Sequence, residues 1–148
     1  MSKKYPKPRK WYPKNIGKYN GDVNNITIRS SWEAAFFNWC DLNSSVLSYE
    51  SEETIIPYRC VTDNKIHRYF VDAKITIKNI DNLIKTYLVE IKPYSQSIPP
   101  KKRNSKKYLS EVMTYGKNQS KWTAAKQYCL ERGWEFIIIT EKELFGKK

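Results

Sequence analysis

The chain has 148 residues and a formal net charge of +12, with 27 Lys and Arg against 15 Asp and Glu. This excess indicates an acidic partner such as a nucleic acid. Its length predicts one domain, and no run approaches the roughly 20 apolar residues that span a bilayer, so we expect a soluble intracellular protein without a membrane partner. Three cysteines without a C-x-x-C pair and a single histidine argue against a disulfide framework, a zinc site and histidine-based catalysis.

The chain begins with a basic segment, which we predict to be an arm over residues 1–25 preceding a single domain over residues 26–148. Residues 1–21 contain seven basic side chains and no acid. Basic side chains neutralise phosphates, and interleaved aromatic rings pack on sugars or exposed bases. The candidate phosphate contacts in this arm are Lys7, Arg9, Lys10, Lys14 and Lys18.

An amphipathic helix is predicted next, from about Ser31 to Leu42. Its apolar residues recur at i, i+3, i+4, i+7 and i+8. Glu33 lies on the margin of this apolar stripe, and it stands three residues after Ser30 in the form of a capping box. The carboxylate therefore either caps the helix or reaches a site on the neighbouring sheet.

Two strands in the middle of the chain carry the most informative residues. Residues 55–61 predict a first strand, and residues 66–77 and 83–91 predict an antiparallel pair that follows it. Glu90 and Lys92 share a face because strand side chains alternate. If Ile77 lies opposite Leu83, Asp72 lies diagonal to Glu90 on that same face.

This group of side chains suits phosphodiester chemistry that uses a hard cation. Asp72, Glu90 and the Ile91 carbonyl offer the oxygen ligands that Mg²⁺ prefers, with Glu33 as a further acid. Lys92 would orient a water or neutralise charge on the scissile phosphate. An ordinary strand with one solvated face has the same pattern, so the spacing alone leaves both interpretations open.

The last third of the chain combines a basic loop with helices and a final strand. After Pro99-Pro100, a second set of candidate phosphate contacts comprises Lys101, Lys102, Arg103, Lys106 and Lys107. Helices are predicted over residues 108–115 and 121–132, with Ser120 as an N-cap and Gly133 as the stop. Residues 134–140 predict a strand buried on both faces, reached by a parallel crossover. The fold class is thus α/β, a mixed central sheet flanked by helices in the order α-β-β-β-α-β.

Several motifs in this order resemble a known superfamily. They are Tyr12-Pro13-Lys14-Asn15 with Ile16, Arg29-Ser30 with Trp32-Glu33, Ile56-Pro57-Tyr58, Arg68-Tyr69-Phe70 with Asp72, and Glu90-Ile91-Lys92-Pro93. The chain resembles the PD-(D/E)xK nucleases, and within them the head-completion nucleases of T4-like tailed phages, which are related to the endonuclease subunit of heteromeric transposases. Val71 stands where the superfamily name has proline.

The resemblance implies a restriction-endonuclease-like nuclease domain that cleaves DNA with Mg²⁺, Mn²⁺ being able to substitute. Glu33, Asp72, Glu90 and Lys92 would be its catalytic residues, and Glu33, Asp72, Glu90 and Ile91 its metal ligands. It further implies a role in head completion after DNA packaging, in the host cytoplasm or on the virion. DNA would be held mostly through its phosphate backbone, and phage head or portal proteins are further candidate partners.

Two other functions stay open from the sequence. One is a catalytically inactive, DNA-binding structural component of the virion, in which the acid cluster is vestigial. The other is an RNA-binding module, which would expose aromatic residues on its sheet.

Overall fold

The computed structural model describes residues 7–146. Its elements in chain order are eight strands, four α-helices and a short 3-10 helix at Ile16–Lys18. They are β1 (Arg9–Lys10), β2 (Thr27–Ile28), α1 (Ser31–Leu42), β3 (Val46–Ser51), β4 (Ile55–Arg59), β5 (Ile66–Phe70), β6 (Ala73–Lys78), β7 (Ile84–Ile91), α2 (Tyr94–Ser97), α3 (Lys106–Arg132), β8 (Glu135–Ile139) and α4 (Glu141–Phe145).

The central sheet has four strands in the order β3-β6-β7-β8. The first three pair antiparallel, and β8 pairs parallel with β7 after the crossover helix α3. The predicted order α-β-β-β-α-β is confirmed, but its first strand is β3 and not residues 55–61. Strand β4, which lies within residues 55–61, instead pairs with β5 in a separate hairpin. The predicted strand 66–77 is divided into β5 and β6, which are separated by Val71 and Asp72.

The register of the β6–β7 hairpin brings Asp72 closer to Glu90 than the sequence predicted. Ala73 lies opposite Val89, which places position 72 opposite position 90 and not diagonal to it. The shift of two residues leaves the faces unchanged. It arises because the Asn79 side chain accepts the N–H groups of Asp81 and Leu83, so the turn begins one residue later than predicted.

Helix α1 has the predicted bounds, but α3 is one helix of 27 residues where two were predicted. Ser120 is not an N-cap. Its hydroxyl donates to the Gly116 carbonyl within the helix, while Ser105 caps the start by accepting the Tyr108 N–H. Gly133 ends the helix with φ of 72°, as its position predicted.

Two hydrophobic layers cover the sheet. Alternate residues of β6 and β7, such as Ala73 and Val89, pack on the α1 side, whereas Leu88 packs with Trp122 of α3 on the other. Strand β8 contributes to both layers, yet its apolar residues are only half-buried. The prediction of full burial is wrong because β8 lies at the sheet edge.

The described part of the predicted basic arm packs on the domain at several positions, although many of its residues are exposed. Trp11 packs against Phe37 of α1, and Tyr19 is buried with its hydroxyl accepting the Ser51 N–H. The buried Asp41 carboxylate accepts the backbone N–H groups of Lys14 and Asn15. These two aromatic rings therefore pack against the hydrophobic core, Tyr19 fully and Trp11 in part. Tyr5, a further aromatic residue of the predicted arm, lies outside the described residues.

Candidate active site

The candidate site lies where β6 begins and β7 ends. Asp72 is half-buried in the link between β5 and β6, and its Oδ2 accepts the Ile91 N–H at 2.8 Å. Its own carbonyl accepts the Glu52 N–H. The preceding Val71 donates its N–H to the Thr54 carbonyl at 3.0 Å, a bond that a proline at this position would not make. Backbone hydrogen bonds therefore fix the chain both at the Val71 N–H and at the Asp72 carbonyl.

Glu90 is the most deeply buried acid of the site, with 3% of its surface exposed. Its Oε1 accepts the Tyr69 hydroxyl at 2.5 Å, and its Oε2 lies 3.4 Å from the Lys92 Nζ. Lys92 continues the parallel pairing by donating its N–H to the Ile139 carbonyl. Glu90 and Lys92 therefore share one face, as their spacing predicted, and Asp72 lies opposite Glu90 across the strand pair.

Glu33 approaches from the α1 layer. It is 9% exposed, and its two oxygens accept the Arg29 N–H at 3.3 Å and the Ser30 hydroxyl at 3.4 Å. The Ser30 hydroxyl in turn accepts the Glu33 N–H, so Ser30 is the N-cap of α1. A capping box would require the Glu33 carboxylate to accept the Ser30 backbone N–H. The carboxylate accepts the Arg29 backbone N–H instead. Burial raises the pKa of Glu33, as expected for a carboxyl removed from water.

The acids of the site repel one another. Burial raises the pKa of the Asp72 carboxyl well above its ordinary value, and the charges of Glu90 and Glu33 raise it further. The Ile91 N–H and the Lys92 ammonium oppose this shift. A buried carboxylate cluster of this kind is stabilised by a bound cation.

The oxygen donors around Asp72 fit a hard divalent cation. Asp72 and Glu90 supply two carboxylates, and the Ile91 carbonyl faces the same side as its N–H, which points at Asp72. Within residues 7–146, Asp72, Glu90 and Glu33 do not form a group whose ligand atoms all lie within 4.8 Å of one another, whereas Cys60, Asp63 and His67 on the β4–β5 hairpin do.

Two residues at the site were missed from the sequence. Tyr69 lies in a strand pattern next to Phe70, and nothing in the sequence indicates that its hydroxyl bonds to Glu90. Lys121 of α3 places its Nζ 5.5 Å from the centre of the Tyr69 ring. Burial lowers the pKa of Lys121, and the neighbouring Glu90 carboxylate opposes that shift. Its position in a helix, some 30 residues after the strand pair, gave no signal of proximity.

The predicted phosphate contacts differ in their exposure and in whether they already bond within the protein. Lys18 is half-buried, and its ammonium donates to the carbonyls of Asp41 and Asn43 at the C-terminal end of α1. Lys10 bonds to the Asn24 carbonyl, and Arg103 to Glu111 at 2.6 Å. The remaining residues of the two sets are exposed: Lys7, Arg9, Lys14, Lys101, Lys102, Lys106 and Lys107.

Comparison with known proteins agrees with this geometry. Residues 43–141 match the family model described as TnsA-like endonuclease N terminal. The chain belongs to the TnsA-like endonuclease family. It is also 40% identical over 141 residues to the head completion nuclease of Enterobacteria phage T4, a match that covers 91% of each chain.

Membership of the TnsA-like endonuclease family makes the chain a PD-(D/E)xK-like nuclease with a restriction-endonuclease-like fold. The match to the family model includes Asp72, Glu90 and Lys92, whereas Glu33 precedes it. None of the helices over residues 7–146 combines the length and apolar character needed to cross a bilayer.

Proposed function

We infer that the chain is a Mg²⁺-dependent DNA endonuclease that acts in phage head completion. The observation that carries this proposal is the placement of Asp72 opposite Glu90, with the Lys92 Nζ 3.4 Å from the Glu90 carboxylate, in a member of the TnsA-like endonuclease family. The relative's name supports the role in head completion. On this proposal the enzyme works in the infected host cell during phage assembly, with head or portal proteins as partners.

The donor set fits Mg²⁺, with Mn²⁺ as a substitute. Asp72, Glu90 and the Ile91 carbonyl would hold the ion, and Glu33 would accept a hydrogen bond from a water beside it. When bound, the ion polarises the scissile phosphate and lowers the pKa of a coordinated water. The mutual repulsion of Asp72, Glu90 and Glu33 is the property of this site that a cation relieves.

The chain's own residues set the positions of the reacting groups. The Tyr69 hydroxyl fixes the orientation of Glu90, and the Ile91 N–H fixes that of Asp72. The Lys92 ammonium lies 3.4 Å from the Glu90 carboxylate and would donate to a phosphate oxygen or to the attacking water. Lys121 would add a second positive charge on the α3 side of the same phosphate.

DNA would be held by phosphate contacts and not by its bases. The exposed lysines of residues 101–107 follow α2 and lead into α3, the helix that carries Lys121. Lys7, Arg9, Lys10 and Lys14 provide a second basic segment. Contacts of this kind give affinity without reading base edges, so we expect little sequence preference.

A plasmid nicking assay tests this function. The wild-type protein should convert supercoiled DNA to open-circular or linear forms in Mg²⁺ or Mn²⁺ and should stop when a chelator is added. Calorimetric titration of Mn²⁺ should show binding that Asp72→Asn weakens. Absence of both cleavage and binding would favour the inactive structural component instead.

A further inference from the structure

The turn of the β4–β5 hairpin holds three side chains of types that bind transition metals. Cys60, Asp63 and His67 each offer a ligand atom, and these atoms all lie within 4.8 Å of one another. The His67 Nε2 and the Asp63 Oδ2 are 2.7 Å apart. None of these residues belongs to the Asp72 and Glu90 site. The absence of a C-x-x-C pair argued against a zinc site in the sequence, but the fold brings together a cysteine, an acid and the histidine. We propose that this turn is a second metal site, which binds one Zn²⁺ ion through Cys60, Asp63 and His67 with a water as fourth ligand.

The ligand chemistry favours zinc over magnesium. Thiolate and imidazole are ligands of borderline-soft ions, whereas Mg²⁺ requires oxygen ligands in octahedral geometry. Zinc bonds of about 2.0–2.3 Å in a tetrahedron separate ligand atoms by less than 4 Å, so the three atoms need only small adjustments. The side chains of His67 and Asp63 are 38% and 40% exposed, which gives an ion and a water access from solvent.

The backbone of the turn is already ordered for such a site. The Cys60 N–H donates to the Lys65 carbonyl at 2.9 Å, and the Asn64 N–H donates to the Cys60 carbonyl at 2.7 Å. Asn64 has a φ of 57°, a left-handed conformation that asparagine tolerates and that reverses the chain between Asp63 and His67. The loop thus brings ligands at spacings of three and four residues to one side.

Contacts outside the three ligands fix their orientation. Asp63 directs its second oxygen to the Lys65 N–H at 3.0 Å, and the His67 ring stacks on Tyr58 with centroids 5.8 Å apart. Such outer contacts are typical of metal sites because they hold each ligand in its binding orientation. The Thr62 hydroxyl lies 3.0 Å from the Cys60 sulfur and would remain a partner of the coordinated thiolate.

The position of the turn gives the ion a structural role. The Val61 N–H donates to the Ser120 hydroxyl on α3 at 3.2 Å, so the turn lies against that helix. Strand β5 runs from the turn to Tyr69, which contacts Glu90. A zinc ion that joins both ends of the turn would stiffen the hairpin that carries Tyr69. Binding would release the Cys60 thiol proton to solvent.

Cobalt(II) is the probe for this site because its thiolate complexes absorb in the near ultraviolet. Titrated into the wild-type apoprotein, Co²⁺ should give a thiolate charge-transfer band that saturates at one equivalent. Zn²⁺ should abolish the band, and an excess of Mg²⁺ should leave it. His67→Asn and Asp63→Asn should weaken Co²⁺ binding by more than about tenfold, and Cys60→Ser should remove the band.

Control variants separate this site from the active site. Asp81→Asn changes an exposed acid in the turn of the β6–β7 hairpin and should leave the thiolate band intact. Asp72→Asn should also retain it while losing cleavage, so failure of one proposal does not imply failure of the other. Zn²⁺ should raise the melting temperature of the wild type but not of His67→Asn, a substitution of a half-exposed side chain, and circular dichroism should show that the variant is folded. No thiolate band, or an unchanged band and Zn²⁺ stabilisation in His67→Asn, would overturn the proposal.

Discussion

The Tyr69 hydroxyl donates a hydrogen bond of 2.5 Å to Oε1 of Glu90. Tyr69 belongs to the β4–β5 hairpin, which is not part of the central sheet, and Glu90 lies on β7 in the middle of that sheet. The bond therefore connects the hairpin directly to the acid cluster. Because Glu90 is buried, a donor at this distance restricts the orientation of its carboxylate.

Replacing Tyr69 by phenylalanine should remove this restriction. We expect Tyr69→Phe to slow DNA cleavage by about 10- to 100-fold, the usual effect of losing a group that orients a metal ligand. Tyr58→Phe, on the neighbouring strand of the same hairpin, is the matched control and should cleave at the wild-type rate. Equal loss in both variants, measured under single-turnover conditions, would show that the hairpin and not the Tyr69 hydroxyl is responsible.

The raised pKa of Asp72 predicts how stability depends on pH without metal. The folded protein binds the Asp72 proton more tightly than the unfolded chain, so this proton stabilises the fold at low pH. That contribution should be lost as pH rises from the ordinary carboxyl range through the raised pKa of Asp72. Urea unfolding in chelator should therefore show a falling stability over this window for the wild type.

Asp72→Asn should flatten that fall, because the amide does not titrate. Glu33, whose pKa is shifted in the same direction, is present in both proteins, and the comparison isolates Asp72. Added Mg²⁺ should reverse the trend in the wild type, since the metal binds the ionised carboxylate. Parallel pH profiles for wild type and variant would contradict the assignment.

Lys121 gives a prediction for the helix side of the site. Lys121→Gln should reduce the cleavage rate at saturating DNA by at least about tenfold, because it removes a half-buried positive charge near the developing phosphate charge. Lys126→Gln changes an exposed lysine of the same helix by the same chemistry and should have little effect. Loss of affinity without loss of rate would assign Lys121 to general phosphate binding.

The exposed lysines before α3 predict a salt dependence of DNA binding. The double variant Lys101→Gln and Lys102→Gln should lower the slope of log K against log salt by about 2, since each phosphate contact contributes roughly 0.9. Lys78→Gln with Lys85→Gln removes the same charge from the exposed β6–β7 hairpin and should leave the slope unchanged. Equal slopes for both double variants would mean that the loop only contributes net charge.

The sequence predicted those parts of the fold that local patterns determine. The apolar stripe and the Ser30 cap gave the exact bounds of α1, and Gly133 gave the end of α3. Glu90 and Lys92 share a face because alternation in a strand is local. The even register also followed from the pattern. The turn begins one residue later than predicted, at Asn79, and this changes the partner of each β6 residue by two positions.

Contacts between distant segments were not predictable from a single sequence. Residues 55–61 predict the first strand of the sheet, whereas in the structure β3, with its Ser and Glu residues, takes that place by pairing with β6. The approach of Tyr69 and Lys121 to Glu90 depends on the packing of a hairpin and a helix. Lys18 is likewise basic in sequence but bonds to carbonyls at the end of α1.

The central claim is that Asp72, Glu90 and Lys92 act together in metal-dependent DNA hydrolysis. Its most direct test is the single-turnover rate of supercoiled plasmid nicking in Mg²⁺ for Asp72→Ala, Glu90→Ala and Lys92→Ala, with Asp81→Ala as the control. Each of the first three should lose at least about 100-fold in rate while retaining its fold and most of its DNA affinity, and the control should cleave like the wild type. Wild-type rates in all three site variants would contradict the account.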